Sequence, residues 1–343
     1  MSNSRTARLA ALQTFAQTAL GHTLEAPVAA SSDASFRSYW RLADGRHSWI
    51  VMDAPPDRED LGPFVDIAGR LQAAGLLAPR ILAEDRAQGF LLLTDFGDRI
   101  FLPALTATSV DLLYGSALDA LLRMQLRVDA EGLPSYDETR LRTELDLLPT
   151  WFVQQHLGAP ADCAELETME LGFRRLLDSA LEQPVAFVHR DFHSRNLMIV
   201  GERLDGPPGI LDFQDAVRGP LTYDLVSLLK DCYIRWPSER VRDWAEAHRE
   251  RLSANGVAVP GPTRWRRWFD WIGVQRHLKV LGIFARLNYR DGKPGYLKDL
   301  PRVLVYVLET CSRYGDLAPL GAWLERITRG VDLTVPRPRH GGE

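Results

Sequence analysis

The segment Val188-His189-Arg190-Asp191-Phe192-His193-Ser194-Arg195-Asn196-Leu197-Met198-Ile199 sets an aspartate and an asparagine five residues apart between two apolar runs. Sixteen residues past Asn196, Ile210-Leu211-Asp212-Phe213 ends a further apolar run in a second carboxylate. Such oxygen-bearing groups at strand ends suit phosphoryl transfer. The transferring group carries several negative oxygens, so an incoming hydroxyl succeeds only where cations neutralise them and a carboxylate aligns and deprotonates it. His189 and His193 offer a competing reading as zinc ligands. It is disfavoured, because the zinc helix motif needs a glutamate directly after the first histidine and an unbroken helix, whereas Arg190 follows here.

The same order of residues is similar to the protein-kinase signature, in which a loop aspartate accepts the hydroxyl proton and an asparagine and a later aspartate hold Mg²⁺. His193 stands where a Ser/Thr kinase usually has lysine, and the resulting H-x-D-x-H-x-x-N resembles the aminoglycoside phosphotransferase family. That family includes choline-kinase-like enzymes and has a two-lobed, kinase-like α+β fold. The phrases D-A-S-F-R-S-Y-W-R-L (33–42), V-M-D-A-P-P (51–56), L-D-F-Q-D-A-V-R-G-P (211–220) and the segment 275–290 resemble its bacterial cell-wall-recycling members, the anomeric kinases of N-acetylmuramate and N-acetylglucosamine. The resemblance implies ATP and Mg²⁺ as cofactors, with transfer to the anomeric hydroxyl of a free amino sugar in peptidoglycan recycling. By it Asp191 is the base, Asn196 and Asp212 hold the metal, His189 hydrogen-bonds the loop and Asp224 braces it. Kinases of an aminoglycoside, choline or another amino alcohol, and a nucleotide-binding pseudokinase, are the alternatives.

The nucleotide end departs from the pattern. In place of a Gly-rich turn the chain offers Ala30-Ser31-Ser32-Asp33-Ala34-Ser35, whose small side chains still let backbone N–H groups approach phosphate oxygens. Ser31, Ser32 and Ser35 are the expected phosphate cover. The strand Trp49-Ile50-Val51-Met52-Asp53-Ala54 lacks the usual phosphate-gripping lysine, and residues 1–95 contain no lysine at all. Arg37, or less favourably Arg41 on the same face of the preceding strand, is the expected cation, with Glu59 or Asp66 as a possible acidic partner. Asp95-Phe96-Gly97 spells D-F-G but precedes the catalytic loop, so Asp95 and Phe96 read as the hinge facing adenine, or as a plain strand-ending turn.

A sugar must reach Asp191 and the γ-phosphate together, which limits substrate contacts to nearby helical segments. His193, Asp231, Trp236, Arg276 and His277 are the candidates, since sugars take aromatic faces and forked donors and a lactyl carboxylate favours arginine. Trp265, Trp268 and Trp271 read as the core stripe of a long helix, with Arg264, Arg266 and Arg267 on its wet side.

Positioning these groups calls for a small sheet and a helical body. Short strands at 28–30, 36–42, 49–52, about 81 and 90–93 surround one helix at 57–74, after an amphipathic helix at 6–20. Beyond residue 98 helical periodicity dominates, at 108–128, 137–156, 163–182, 221–233, 238–254, 262–289 and 298–313, with strands at 185–188, 197–200 and 209–212 inside it. The expected division is a nucleotide lobe at 1–95, a hinge at 96–98 and a helical lobe at 99–343. Of the 343 residues, 45% are hydrophobic and 25% charged, an ordinary globular balance. The net charge of −4 disfavours nucleic acid and membrane surfaces as partners. Cys163, Cys232 and Cys311 form no framework or zinc knuckle, which fits a reducing compartment. No run resembles a membrane span, and a cytoplasmic monomer acting on a small molecule is expected.

Overall fold

The computed structural model describes residues 2–32 and 36–337. The chain divides into two compact units, one of residues 1–128 with 195–215, the other of residues 129–194 with 216–343. The first unit opens with helix α1 (Ser2–Leu20), strands β1 (Val28–Ser32), β2 (Ser38–Ala43) and β3 (Ser48–Asp53), and helix α2 (Gly62–Ala73). Strands β4 (Ile81–Asp85) and β5 (Phe90–Thr94) and helices α3 (Phe101–Ala104) and α4 (Val110–Arg127) follow. The second unit begins with α5 (Glu138–Leu145), a π-helical stretch Leu148–Leu157, α6 (Cys163–Leu181) and β6 (Val185–Val188). Strands β7 (Leu197–Met198) and β8 (Gly209–Ile210) belong to the first unit. The chain ends in the second with β9 (Val217–Pro220), α7 (Tyr223–Leu229), α8 (Ser238–Ala254), α9 (Pro262–Tyr289), a 3₁₀ turn Pro294–Asp299, α10 (Leu300–Cys311) and α11 (Ala318–Thr328).

In the first unit the sheet runs β1-β2-β3-β5-β4, every neighbour antiparallel. Period-two alternation puts Trp40 and Leu42 of β2, and Phe90 and Leu92 of β5, on one face, where they bury against Leu12 and Ala16 of α1. The β7–β8 ribbon is tied to this unit by backbone bonds from Ile199 to Arg99 and from Ile210 to Leu77. Those bonds explain why the units depart from the expected division at 95–98. Gly209 has no room for a side chain, since a Cβ there would lie 2.5 Å from the Phe96 ring.

The second unit is built around α9, whose tryptophans are buried as the stripe requires: Trp265, Trp268 and Trp271 are 2%, 4% and 5% exposed. The expected helix 137–156 is instead α5 followed by a π-helical stretch, because Pro149 lacks the N–H that would continue the α-ladder. Leu147, just before it, lies against α9, and a Cβ on Gly282 would meet Leu147 at 2.5 Å.

Other boundaries move for local reasons. Helix α2 begins at Gly62 rather than 57, because Arg58 and Glu59 donate back to the Pro55 carbonyl in a turn. Pro63 then sits in the first turn, where its missing N–H costs nothing. Strand β1 runs on through Ser32 by pairing Ser31 with Tyr39 and Ser32 with Ser38, so those serines belong to the strand rather than to the turn expected over 30–35. Ser35 lies outside the described residues. Strand β9 and helix α11 had no expected counterpart. Among the described residues no helix is long and apolar enough to cross a membrane.

Candidate active site

Strand β6 pairs with β9 from Val185 opposite Pro220 to Val188 opposite Val217, and its end delivers His189, Arg190 and Asp191. Helix α7 starts just after β9 and pins that loop from both ends. Asp224, in its first turn, accepts the backbone N–H of His189 at 2.6 Å and of Arg190 at 3.0 Å. Asp231, just past its end, accepts the Ser194 N–H at 3.0 Å and the Ser194 hydroxyl at 2.5 Å. Helix α7 ends at Leu229, and Lys230, with a φ of −116° and a ψ of 51°, turns the chain out of the helix just before Asp231. Within the loop His189 Nδ1 accepts the Asp191 N–H at 3.3 Å, and Asp191 O accepts the His193 N–H at 3.0 Å. Arg190 takes a φ of 76°, rarely adopted by a side-chain-bearing residue, and the Asp224 bonds help hold it there. Burial pushes the Asp224 carboxyl up to about 7, against the pull of those two N–H donors.

Burial alone would raise Asp191 too, yet its carboxyl is held below the usual range by Lys279, then His193, Arg276 and Arg190. The structure surrounds the carboxylate with cations and keeps it ionised. Two of them, Lys279 and Arg190, are ordered by a buried acid that sequence reading missed. Glu144 of α5 accepts from Arg190 Nη2 at 2.7 Å and Lys279 Nζ at 2.8 Å through one oxygen, and from the Tyr136 hydroxyl through the other. Lys279 also donates to the Tyr223 hydroxyl at 3.2 Å. Burial works against both charges of the pair, but Lys279 and Arg190 hold Glu144 low and Glu144 holds Lys279 high. The available signal was indirect: a lysine inside the buried stretch of α9 demands an acid, without saying which.

The substrate candidates separate. Arg276 is 3% exposed and donates to Cys232 Sγ at 3.2 Å. With His193 it belongs to the Asp191 cluster. His193 is buried against the edge of Tyr233, ring centres 5.4 Å apart. Asp231 is engaged by Ser194 of the candidate loop, as above. His277, 1% exposed, stacks on Tyr306 at 4.8 Å and hydrogen-bonds the Lys230 carbonyl at 2.9 Å, and burial drives its ring down to about 3. It is a packed neutral imidazole. Trp236 meets Trp244 edge-on and lines a cavity that none of Asp191, His193, Arg276 or Lys279 lines.

The candidate metal and phosphate residues lie in the first unit. Leu211 N–H donates to Asn196 O at 2.9 Å across the β7–β8 ribbon, which brings Asn196 Nδ2 to 3.2 Å from Asp212 Oδ2. Gln214 Nε2 donates to the other Asp212 oxygen at 2.8 Å, and Asp212 has a φ of 61°. Phe213 is buried against Phe64 of α2, ring centres 4.8 Å apart. An amide oxygen and a carboxylate are hard donors of the kind Mg²⁺ prefers. Among the described residues no group of three His, Cys, Asp or Glu could cage a metal, so an ion here would complete its shell with water and phosphate oxygens.

Arg37 precedes β2 instead of lying within it, and its Nε is 3.5 Å from Glu59 Oε2. Phe36 N–H donates to the other Glu59 oxygen at 3.3 Å. Arg41 is committed elsewhere: Nε and Nη2 reach Asp95 at 2.5 and 3.0 Å, and Nη1 reaches Asp98 at 2.5 Å. The Asp95 side chain faces Arg41 and the Gly97 N–H, and the Phe96 ring packs on Gly209.

Residues 28–268 match the family described as the phosphotransferase enzyme family. The chain belongs to that family. A relative from Pseudomonas aeruginosa named N-acetylmuramate/N-acetylglucosamine kinase is 47% identical over 309 residues, 89% of each chain. A namesake from Neisseria meningitidis is 41% identical, covering 89% of this chain and 91% of that one. The family fold extends to distant solved structures. An ADP-bound aminoglycoside phosphotransferase superposes with a TM-score of 0.56 at 13% identity, over 86% of this chain and 97% of that one. A putative aminoglycoside phosphotransferase from Ralstonia eutropha gives 0.61 at 12% identity, over 92% and 98%. The fold is therefore the kinase-like α+β fold of these enzymes.

Proposed function

We propose that the protein transfers the γ-phosphoryl group of ATP to the anomeric hydroxyl of a free amino sugar, N-acetylmuramate or N-acetylglucosamine, giving the sugar 1-phosphate. One observation carries the reaction type: a loop carboxylate, Asp191, kept ionised by four neighbouring cationic or cation-forming groups. The substrate class rests on the relatives that bear the kinase name. Reuse of cell-wall amino sugars in the cytoplasm is the setting this chemistry suits.

Asp191 accepts the hydroxyl proton as the oxygen attacks phosphorus. Asn196 and Asp212 hold Mg²⁺, which when bound supplies positive charge against the phosphate oxygens. Arg37 takes the place of the strand lysine on the phosphates and Glu59 that of its acid partner, while backbone amides near Ser31 and Ser32 cover the phosphates and the backbone at Asp95 and Phe96 meets adenine. Arg276 receives the lactyl carboxylate when N-acetylmuramate binds, since a nearly buried guanidinium with a thiol as its hydrogen-bond partner favours an anion.

The cations beside Asp191 disfavour a polycationic aminoglycoside, and the Arg37–Glu59 pair weakens the pseudokinase reading. A test is ADP release from ATP with each member of a panel: N-acetylmuramate, N-acetylglucosamine, choline and kanamycin. Turnover is expected with the two acetylated sugars. Turnover with choline or kanamycin alone, or with none of the four, contradicts the reading.

A further inference from the structure

In the second unit the end of α7, the start of α8, the first half of α9 and the end of α10 enclose a cavity of about 70 Å³. By this measure one water takes about 10–15 Å³, so the space admits several waters or one small oxyanion. Its charge is one-sided. Lys230, Arg235, Arg242, Arg266 and Arg313 line it, against two carboxylates, Asp270 and Glu309.

Lys230 is the built part. It is 6% exposed, and its ammonium donates to Asp270 Oδ1 at 2.7 Å over the face of Phe269. An ammonium has three donors, and among the described residues Asp270 is its one hydrogen-bond acceptor. Asp270 is itself shared, taking Arg313 at 3.3 Å and the Tyr314 hydroxyl at 2.9 Å. A buried cation with two donors to spare, beside a carboxylate shared with Arg313 and Tyr314, has room for a further acceptor. The Arg235–Glu309 pair neutralises one more cation, and Arg242 and Arg266 stand at exposed positions on the rim, Arg242 in a loose, solvent-exposed pair with Glu239 at 3.8 Å. Trp236 adds aromatic wall, the surface a sugar ring packs on, while the Tyr306 ring is already stacked on His277.

We propose that this cavity is a second ligand site, separate from the catalytic cluster, that binds a phosphoryl group, free or carried on a sugar, with Lys230 at its base and Arg242 and Arg266 at its mouth. Guanidinium forks and an ammonium match three equivalent phosphate oxygens better than a lone carboxylate. The site also adjoins the catalytic loop through the chain. The Lys230 carbonyl accepts from His277, and the next residue, Asp231, holds Ser194. The proposal does not depend on which sugar the enzyme phosphorylates.

The test is equilibrium binding by calorimetry on the full chain, without nucleotide, at fixed ionic strength. Inorganic phosphate and N-acetylglucosamine 1-phosphate are the probes. Saturable binding is expected, weakened about tenfold or more by Lys230→Met and by the double change Arg242→Ala with Arg266→Ala. It should persist in the presence of saturating non-hydrolysable ATP analogue and acceptor sugar. The exposed rim variant decides the matter if Lys230→Met does not fold. Tighter binding of the sugar phosphate identifies the carried group as the ligand, and equal or tighter binding of phosphate identifies the free ion. Absence of saturable binding, binding unchanged in the rim variant, or displacement by the analogue or the sugar overturns the second site.

Discussion

Asp224 accepts the backbone N–H of Arg190 at 3.0 Å, one residue before the candidate base, and Arg190 sits at a φ of 76°. The loop therefore depends on α7 for its conformation. Asp224→Ala removes two buried hydrogen bonds, each worth about 0.5–3 kcal/mol depending on the charge of the carboxyl group. Loss of stability in urea titration is expected, together with a fall in kcat of tenfold or more in protein that remains folded. Unchanged kcat and unchanged midpoint would show that Asp224 does not brace the loop.

Asp191→Asn keeps the shape of the side chain and removes the base. A general base contributes about 10²–10⁴ in rate, so kcat should fall by that factor while the dissociation constant for ATP moves little. Rapid-quench turnover and nucleotide titration on the same preparation separate the two quantities. Near-normal turnover would displace Asp191 from its role.

Lys279 is the leading cation that keeps the Asp191 carboxyl low. The base works only when ionised, so the acid limb of kcat/KM, which reports the free enzyme, lies where Asp191 gains its proton, below the ordinary carboxylate range near 4. Removing a positive neighbour makes protonation easier. In Lys279→Met the acid limb should move to higher pH, while the alkaline side stays where it was. A uniform fall in kcat/KM with an unmoved acid limb would reduce Lys279 to packing around Glu144.

Arg37 is the proposed phosphate cation of the first unit. Its loss removes a charge-assisted bond worth about 1.5–3 kcal/mol, so Arg37→Ala should raise the KM for ATP roughly tenfold or more. Glu59→Gln should raise it less, because it loosens the guanidinium without deleting it. An ATP KM that ignores Arg37→Ala would move the role to backbone amides, since Arg41 is already held by Asp95 and Asp98.

The geometry of the candidate catalytic loop was legible because it is set locally. Asp191, Asn196, Asp212 and Asp224 sit at fixed short distances from strand ends and a helix start, and hydrophobic periodicity marks those ends. Glu144 was not legible. Its partners come from positions 136, 190 and 279, brought together by tertiary packing that no spacing announces. The same limit applies to Arg41, whose neighbours on β2 look like an ordinary wet face until Asp95 and Asp98 arrive from the turn after β5. Asp231 and His277 looked like substrate contacts because they are polar and near the loop, yet burial turns one into a loop anchor and the other into a stacking partner of Tyr306. Strand β9 was hidden by Gly219 and Pro220, residues that usually punctuate strands but end this one at its pairing with Val185.

The site of phosphorylation tests the central claim most directly. A hemiacetal hydroxyl is more acidic than a primary alcohol and better matched to a carboxylate base such as Asp191. Phosphorus NMR of the product from N-acetylglucosamine, run beside the same reaction with its methyl glycoside, reads the position of transfer. The account expects an anomeric phosphate, loss of the reducing end, and no product from the glycoside. Phosphorylation of the methyl glycoside, or a sugar phosphate that still reduces, would contradict it.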